Sequence, residues 1–235
     1  MQQDLSHILF LDIETVPITY RYDSLDPEIR ELWDEKMFYQ HQQSGASYEE
    51  LYSKAGVLAE FAKVVCICSG FIHMEYGVPH FRMKTFAGHD EATLLYDFFK
   101  MLDDKFGNYA LCAHNGKEFD FPFMARRMLV NGVKIPKHLN TAGKKPWEVN
   151  HLDTMELWKF GDRKHFTSLK LLAHLFGLPT PKDDISGKDV ARVYYEEDNL
   201  DRIITYCQKD VITLANLMLR WNQQNTINES HISFV

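Results

Sequence analysis

The sequence has few cysteines and no long apolar run, and both shortages narrow the class of protein. Only four of the 235 residues are cysteine. Cys66 and Cys68 share a predicted strand face, but no second Cys/His pair at zinc spacing accompanies them, so we expect small buried residues rather than metal ligands. No segment reaches transmembrane length, and the N-terminus lacks the basic start of a secretory signal. We therefore expect a cytoplasmic protein.

Acidic residues outnumber basic ones, and the formal net charge is −7. This net charge argues against passive coating of nucleic acid. The exception is the window 121–170, which holds ten Lys/Arg against four Asp/Glu. Such a window can bind a polyanion or can be an ordinary solvated surface, and charge alone slightly favours the second. Its basic residues are Arg126, Arg127, Lys134, Lys137, Lys144, Lys145, Lys159, Arg163, Lys164 and Lys170.

The order of the predicted elements indicates a mixed α/β sheet. Apolar and alternating patterns predict strands at 8–15, 64–71, 78–86, 109–113 and 149–155. Helical spacing predicts helices at 90–102, 119–130, 168–176, 190–195 and 200–221. We interpret residues 17–60 as a partly helical insertion over the rim of the sheet, either a lid on a substrate or, as we favour, a structural flap. The polar residues 222–235 are expected to fray.

One stretch joins a buried strand to two acids. Ile8 to Leu11 is an unbroken apolar run, typical of a strand covered on both faces, and Asp12 and Glu14 follow at spacing i, i+2. Side chains at that spacing share a strand face, and neighbouring carboxylates repel unless a cation or a proton lies between them. Hard oxygen ligands favour Mg²⁺ or Mn²⁺. The alternative is a strand that runs into a turn with two solvated acids.

Two further polar groups accompany later elements. Asp120 opens a helix after a short strand, where a carboxylate can cap free N–H groups or can join a ligand site at the strand end. Tyr206 and Asp210 stand at i and i+4 of the long last helix and therefore share a face. Asp210 adjoins an apolar run, so it is either paired or metal-bound, or it is an exposed acid beside a core tyrosine.

The three groups form ordered motifs, which are Asp-Ile-Glu-Thr at 12–15, Phe-Asp-Phe-Pro-Phe at 119–123 and Tyr-Cys-Gln-Lys-Asp at 206–210. This set resembles the DEDD superfamily of 3′–5′ exonucleases in its tyrosine-bearing subgroup, and it is most similar to the proofreading domain of family B DNA polymerases. The other subgroup has a histidine where this chain has Thr205. The resemblance spans residues 7 to about 220. It implies a ribonuclease H-like fold, with a five-stranded mixed sheet of order 3-2-1-4-5 flanked by helices.

The resemblance also implies a site that holds two divalent metal ions, Mg²⁺ or Mn²⁺. In such a site Asp12 would bridge both ions, and Glu14 and Asp210 would complete the position that binds the attacking water. Asp120 would hold the second ion. Tyr206 would orient the water by a hydrogen bond, since a phenol with a pKa of about 10 is a poor base at neutral pH.

Further residues are assigned to the substrate. Asn115 is expected to contact the nucleic-acid backbone, and Ile13, Thr15 and Phe119 are expected to line the pocket for the terminal nucleotide. Asp153 ends the fifth predicted strand, but it matches no metal position of the superfamily and is left out of the site.

The sequence therefore predicts one exonuclease domain over 1–235, with the insertion at 17–60. We expect a metal-dependent 3′–5′ exonuclease that converts single-stranded nucleic acid, with DNA favoured, to 5′-mononucleotides. The alternatives are an exoribonuclease on short RNA and a non-catalytic nucleic-acid-binding module. The chain has no room for a polymerase body, so a separate DNA repair or replication protein is a candidate partner, and no membrane is involved.

Overall fold

A computed structural model describes residues 4–162, 166–179 and 185–235. Its centre is a six-stranded sheet of order β5-β4-β1-β2-β3-β6. The strands are β1 (Ile8–Pro17), β2 (Ala62–Glu75), β3 (Val78–Ala87), β4 (Ala110–Ala113), β5 (Leu152–Asp153) and β6 (Ile232–Phe234). β1, β2 and β3 are antiparallel neighbours, whereas β4, β5 and β6 each run parallel to the strand beside them. The apolar run at the start of β1 thus forms a central strand, as predicted.

Eight helices accompany the sheet in the described part of the chain. They are α1 (Pro27–Ser44), α2 (Tyr48–Tyr52), α3 (Glu91–Lys105), α4 (Asp120–Val130), α5 (Thr154–Lys159), α6 (Leu169–Leu175), α7 (Val190–Tyr195) and α8 (Leu200–Trp221). Apolar residues of α3 and α4 pack on one face of the sheet, and those of α7 and α8 pack on the other. The fold is ribonuclease H-like, and the predicted order 3-2-1-4-5 is confirmed for its first five strands.

Two predictions about the strands were wrong. Residues 222–235 do not fray, because β6 pairs with β3 and the backbone N–H of Ile227 donates to Asn216 Oδ1 at 2.8 Å. A strand of three residues is too short for its alternation to stand out in a sequence. The fifth strand is also much shorter than 149–155, because Asp153 caps α5 by accepting from the N–H of Met155 at 2.9 Å.

Residues 17–60 fold around a small core of their own. Trp33 is fully buried there, and its ring lies 5.0 Å from the rings of both Tyr52 and Phe61. The segment is tied to β1, since Thr15 Oγ1 donates to the carbonyl of Gly56 at 2.6 Å. The segment therefore has its own core and a hydrogen bond to β1, and its interpretation as a structural flap stays a prediction.

A buried ion pair fastens α4 to α3. Arg127 Nη2 lies 2.6 Å from Glu91 Oε2, and its Nη1 donates to the Ala59 carbonyl at 2.9 Å. Glu91 also accepts from the N–H of Val64 at 2.8 Å and from Asn131 Nδ2 at 2.8 Å. Both residues are less than a tenth exposed. Because its charge is paired inside the protein, Arg127 does not contribute to a basic surface in the window 121–170. Residues 163–165 of that window lie outside the described ranges.

Across the described ranges, every helix is too short or too polar to cross a membrane.

Candidate active site

Strand β1 carries the first two acids. Asp12 and Glu14 lie on one face of β1, opposite Cys68 and Cys66 of β2 in the register, and a bulge follows between Glu14 and Thr15. Asp12 is partly buried and Glu14 is only 6% exposed. The alternative of two solvated acids in a turn is therefore wrong.

Asp120 comes from the first residue of α4 and is 2% exposed. Its Oδ1 accepts a hydrogen bond from the backbone N–H of Ile13 at 3.2 Å. The helix-capping position belongs instead to Phe119, whose side chain makes no capping bond. The carboxylate of Asp120 is thus directed to β1, between the two acids of that strand.

The tight turn between β4 and α4 orients Asp120 toward β1. Asn115 has a left-handed backbone with φ 63°, and Asp153 accepts from the N–H groups of Asn115 at 2.9 Å and Lys117 at 3.1 Å. A Cβ on Gly116 would lie 2.4 Å from Cβ of Ala113, so only glycine fits this approach. Asp153, which we had left out of the site, therefore positions the loop that leads to the site.

Helix α8 supplies the remaining groups. The side chains of Tyr206 and Asp210 interact electrostatically with each other, and both interact in the same way with the acids of β1. Cys207, between them in sequence, is fully buried, and its thiol donates to the Asp12 carbonyl at 3.4 Å. The spacing i, i+4 thus gives the shared face that the sequence predicted, and the alternative of an isolated exposed acid is wrong.

The four carboxylates destabilise one another when charged. Burial, and then the charges of Glu14, Asp120 and Asp210, raise the pKa of Asp12 well above its usual value. Burial and the charge of Asp210 do the same to the pKa of Glu14. Burial raises the pKa of Asp120 to about 7. A bound cation removes this repulsion, and hard oxygen donors are the ligands that Mg²⁺ and Mn²⁺ select. The donor set therefore fits divalent metal ions of this kind.

The four residues assigned to the substrate differ in how accessible their side chains are. Ile13 packs in the core, so its backbone N–H, rather than its side chain, reaches Asp120. The Thr15 hydroxyl is committed as a donor to the Gly56 carbonyl. Asn115 and Phe119 flank the junction and are partly exposed.

The comparisons with known proteins agree with these motifs. Residues 57–231 match the sequence model of a family described as predicted 3′–5′ exonucleases related to the exonuclease domain of PolB. The chain belongs to that family. The predicted resemblance to the exonuclease domain of family B DNA polymerases is confirmed, and exonuclease domains of this kind use divalent metals. Asp12 and Glu14 precede the matched residues of this PolB-like exonuclease domain.

This chain spans only a small part of the two DNA polymerases that it matches. A DNA polymerase of Pyrococcus glycovorans is 23% identical over 133 residues, which are 51% of this chain and 17% of the polymerase. Among solved structures, the family B DNA polymerase of Pyrobaculum calidifontis has a TM-score of 0.47 at 15% identity, covering 90% of this chain and 24% of that one. The RNase domain of yeast Pop2 has a TM-score of 0.43 at 12% identity, covering 93% and 77%.

The PolB-like domain also has a thiol cluster that the sequence did not reveal. Cys66 Sγ lies 3.8 Å from Cys68 Sγ, and α8 brings the thiol of Cys207 within 4.8 Å of both. The same thiol lies within 4.8 Å of carboxylate oxygens of Asp12 and Glu14. The strand pair alone gave no sign of the third cysteine, since it is far away in sequence and adjacent only in the fold. These buried thiols therefore lie beside the acids of β1.

Metal ions are expected to stabilise the domain more at high pH than at low pH. A carboxyl whose folded pKa is raised stabilises the fold while it is protonated, and this contribution is lost as the pH rises through the folded pKa, about 7 for Asp120. The increase in Tm on adding Mg²⁺ or Mn²⁺ should therefore grow between about pH 5 and about pH 8. Thermal melts in EDTA and in metal at each pH measure it. An increment that stays constant over that range would contradict the prediction, and Asp120→Asn should flatten its rise.

Proposed function

We propose that the whole chain is a single 3′–5′ exonuclease domain that degrades single-stranded DNA from its 3′ end to 5′-mononucleotides. The observation that carries the proposal is the convergence of four carboxylates from three separate elements, β1, α4 and α8, with the phenol of Tyr206 beside them on α8. The membership in the PolB-like exonuclease family supports the reaction class.

In this proposal Asp12, Glu14, Asp120 and Asp210 hold two divalent ions, Mg²⁺ or Mn²⁺. When bound, such ions neutralise charge on the phosphate and supply an activated water and a stabilised leaving group. The protein contributes rigidity, because the N–H of Ile13 fixes the carboxylate of Asp120. The residues that pack against this part of β1, Cys66, Cys68 and Cys207, are fully buried. Preorganised charge of this kind needs no rearrangement when the phosphodiester breaks.

Tyr206 is assigned to the attacking water. Burial, and then the charges of Asp210, Glu14 and Asp12, raise the pKa of Tyr206. A phenol held neutral in this way donates and accepts hydrogen bonds but does not remove a proton at neutral pH. Its role is therefore to orient the nucleophile.

One observation supports DNA as the substrate, and another supports single strands. The relative with 23% identity is named a DNA polymerase. The partly exposed ring of Phe119 adjoins Asp120, where it can stack on the last base of a strand, and stacking tolerates any base. A paired end must first be opened at a cost of a few kcal/mol, so frayed or mismatched ends should be cut faster than blunt duplex ends.

The decisive assay compares DNA and RNA of equal sequence, labelled at either the 3′ or the 5′ end, with Mg²⁺, Mn²⁺ or EDTA. We expect the 3′ label to leave at once as a mononucleotide, the 5′ label to pass through a ladder of shortened strands, and EDTA to stop both. Closed circular single-stranded DNA should resist, since it offers no terminus. Faster decay of the RNA would make the domain an exoribonuclease, and metal-dependent cleavage of the circle would make it an endonuclease.

Tyr206→Phe is expected to slow turnover by roughly 10- to 1,000-fold, because it removes one hydrogen bond to the water but no metal ligand. Asp210→Asn should cost more. Single-turnover rates at saturating metal measure the difference. If the two variants were equally inactive, Tyr206 would have to be the proton acceptor and its assigned role would be wrong.

A further inference from the structure

A second group of metal-ligating side chains lies at the turn end of the β2–β3 hairpin. It consists of His73 and Glu75 on β2 and His80 on β3, and we call it the hairpin cluster. His73 is five residues beyond Cys68, the partner of Asp12 in the register, which corresponds to about 17 Å along the strand. The hairpin cluster is therefore separate from the four carboxylates.

The strand register places the three side chains on one face. His73 and His80 are directly paired across the two antiparallel strands. Glu75 follows His73 at i+2 and so points to the same side. Glu75 Oε1 lies 3.0 Å from His73 Nε2, and Glu75 Oε2 lies 3.7 Å from His80 Nε2. One ligand atom from each residue lies within 4.8 Å of the others.

A third histidine holds this arrangement in place. His231 stacks on His80 with ring centroids 4.2 Å apart and an interplanar angle of 17°. It directly precedes Ile232, which pairs with Phe81 in the contact between β6 and β3. Within the described ranges, Nδ1 of His73 and Nδ1 of His231 are buried and meet no hydrogen-bond partner. His73 therefore meets its polar partner through Nε2, the ring nitrogen that faces Glu75.

We propose that the hairpin cluster binds one borderline divalent cation such as Zn²⁺. Two imidazoles with one carboxylate are a donor set that Zn²⁺ uses, with the fourth position left to water. Tetrahedral ligands about 2.0–2.1 Å from zinc lie about 3.3 Å apart, and one ligand atom from each of the three residues already lies within 4.8 Å of the others. Imidazole selects Zn²⁺ over Mg²⁺, so Mg²⁺ should not compete for the hairpin cluster. His231 is a positioning residue that fixes the ring of His80.

The bound ion joins β2 to β3. Through the ring of His231, which stacks on His80, it also stabilises the pairing of β6 with β3. Its effect is on the outer edge of the sheet, and the proposal does not depend on the nuclease activity.

The test is a titration of the full chain with Zn²⁺ in excess Mg²⁺, which occupies the carboxylates. We expect one Zn²⁺ per chain in calorimetry and a higher Tm. The double variant His73→Ala/His80→Ala should bind Zn²⁺ at least about 100-fold more weakly, since even the groups that support metal ligands are worth about 10- to 100-fold. His174→Ala, at an exposed histidine of α6, is the matched control and should bind as the wild type does.

A second measurement excludes the thiol cluster as the site. Co²⁺ in place of Zn²⁺ should give a spectrum without thiolate charge-transfer absorption, and the signal should disappear in the double variant. Glu75→Gln, at an exposed residue, should weaken binding by itself and decides the case if the double variant does not fold. Equal Zn²⁺ affinity of Glu75→Gln and wild type, thiolate absorption with Co²⁺, or no binding to the wild type would each overturn the proposal.

Discussion

Asp12→Asn is expected to lower nuclease activity by about 10³-fold or more while leaving the fold intact. Removing a single electrostatic stabiliser of developing charge commonly costs about 10²- to 10³-fold, and Asp12 interacts electrostatically with Glu14, Asp120 and Asp210. The metal-free variant should also melt at a higher temperature than metal-free wild type, because one repelling charge is gone. Rates on 3′-labelled single strands and melts in EDTA measure the two effects.

Glu118→Gln is the matched control for Asp12→Asn, since it removes one exposed carboxylate two residues from Asp120. It should keep wild-type activity and wild-type metal dependence. An Asp12→Asn protein of matched purity that cleaved DNA at the wild-type rate would disprove the proposed site.

Arg127→Met is expected to destabilise the domain by about 3–5 kcal/mol, because it leaves the buried charge of Glu91 without its cation. In a chain of this size each kcal/mol lowers the Tm by about 2–4 °C, so the loss should be obvious in a thermal melt. Activity at low temperature should persist, since neither residue belongs to the carboxylate cluster.

The neighbouring Arg126 provides the control, because it is exposed. Arg126→Met should change stability by no more than about 0.5 kcal/mol, as surface substitutions usually do. The double variant Glu91→Leu/Arg127→Met should recover part of the lost stability, since a buried pair can often be replaced by apolar groups. Equal melting temperatures of Arg126→Met and Arg127→Met would show that the ion pair contributes nothing.

The sequence predicted most of what local patterns encode. The unbroken apolar run before Asp12 identified a central strand, and the spacing of Tyr206 and Asp210 identified a helix face. Both depend only on residues close together in the chain, where the periods of strand and helix determine direction. The bounds of α7 and α8 are those predicted, for the same reason.

Local patterns could not predict contacts between residues that are far apart in the sequence. Asp153 looked like a surplus acid, and only the fold shows that it accepts from the N–H groups of Asn115 and Lys117. Arg127 counted as surface charge until the structure paired it with Glu91, 36 residues away. Cys207 reaches Asp12 across 195 residues. Hydrogen bonds between distant residues leave no periodic trace in a sequence, so the supports of the site had to come from the structure.

The pairing of β6 with β3 has a consequence for how this protein behaves in a crowded solution. Without β6, the outer border of the sheet would be the ten-residue strand β3, whose unpaired backbone groups could recruit a strand from another molecule. β6 covers this border at Phe81–Met83 and is itself only three residues long. β6 therefore divides the border of β3 into stretches too short to pair with a full strand, which limits growth of the sheet from one molecule into the next.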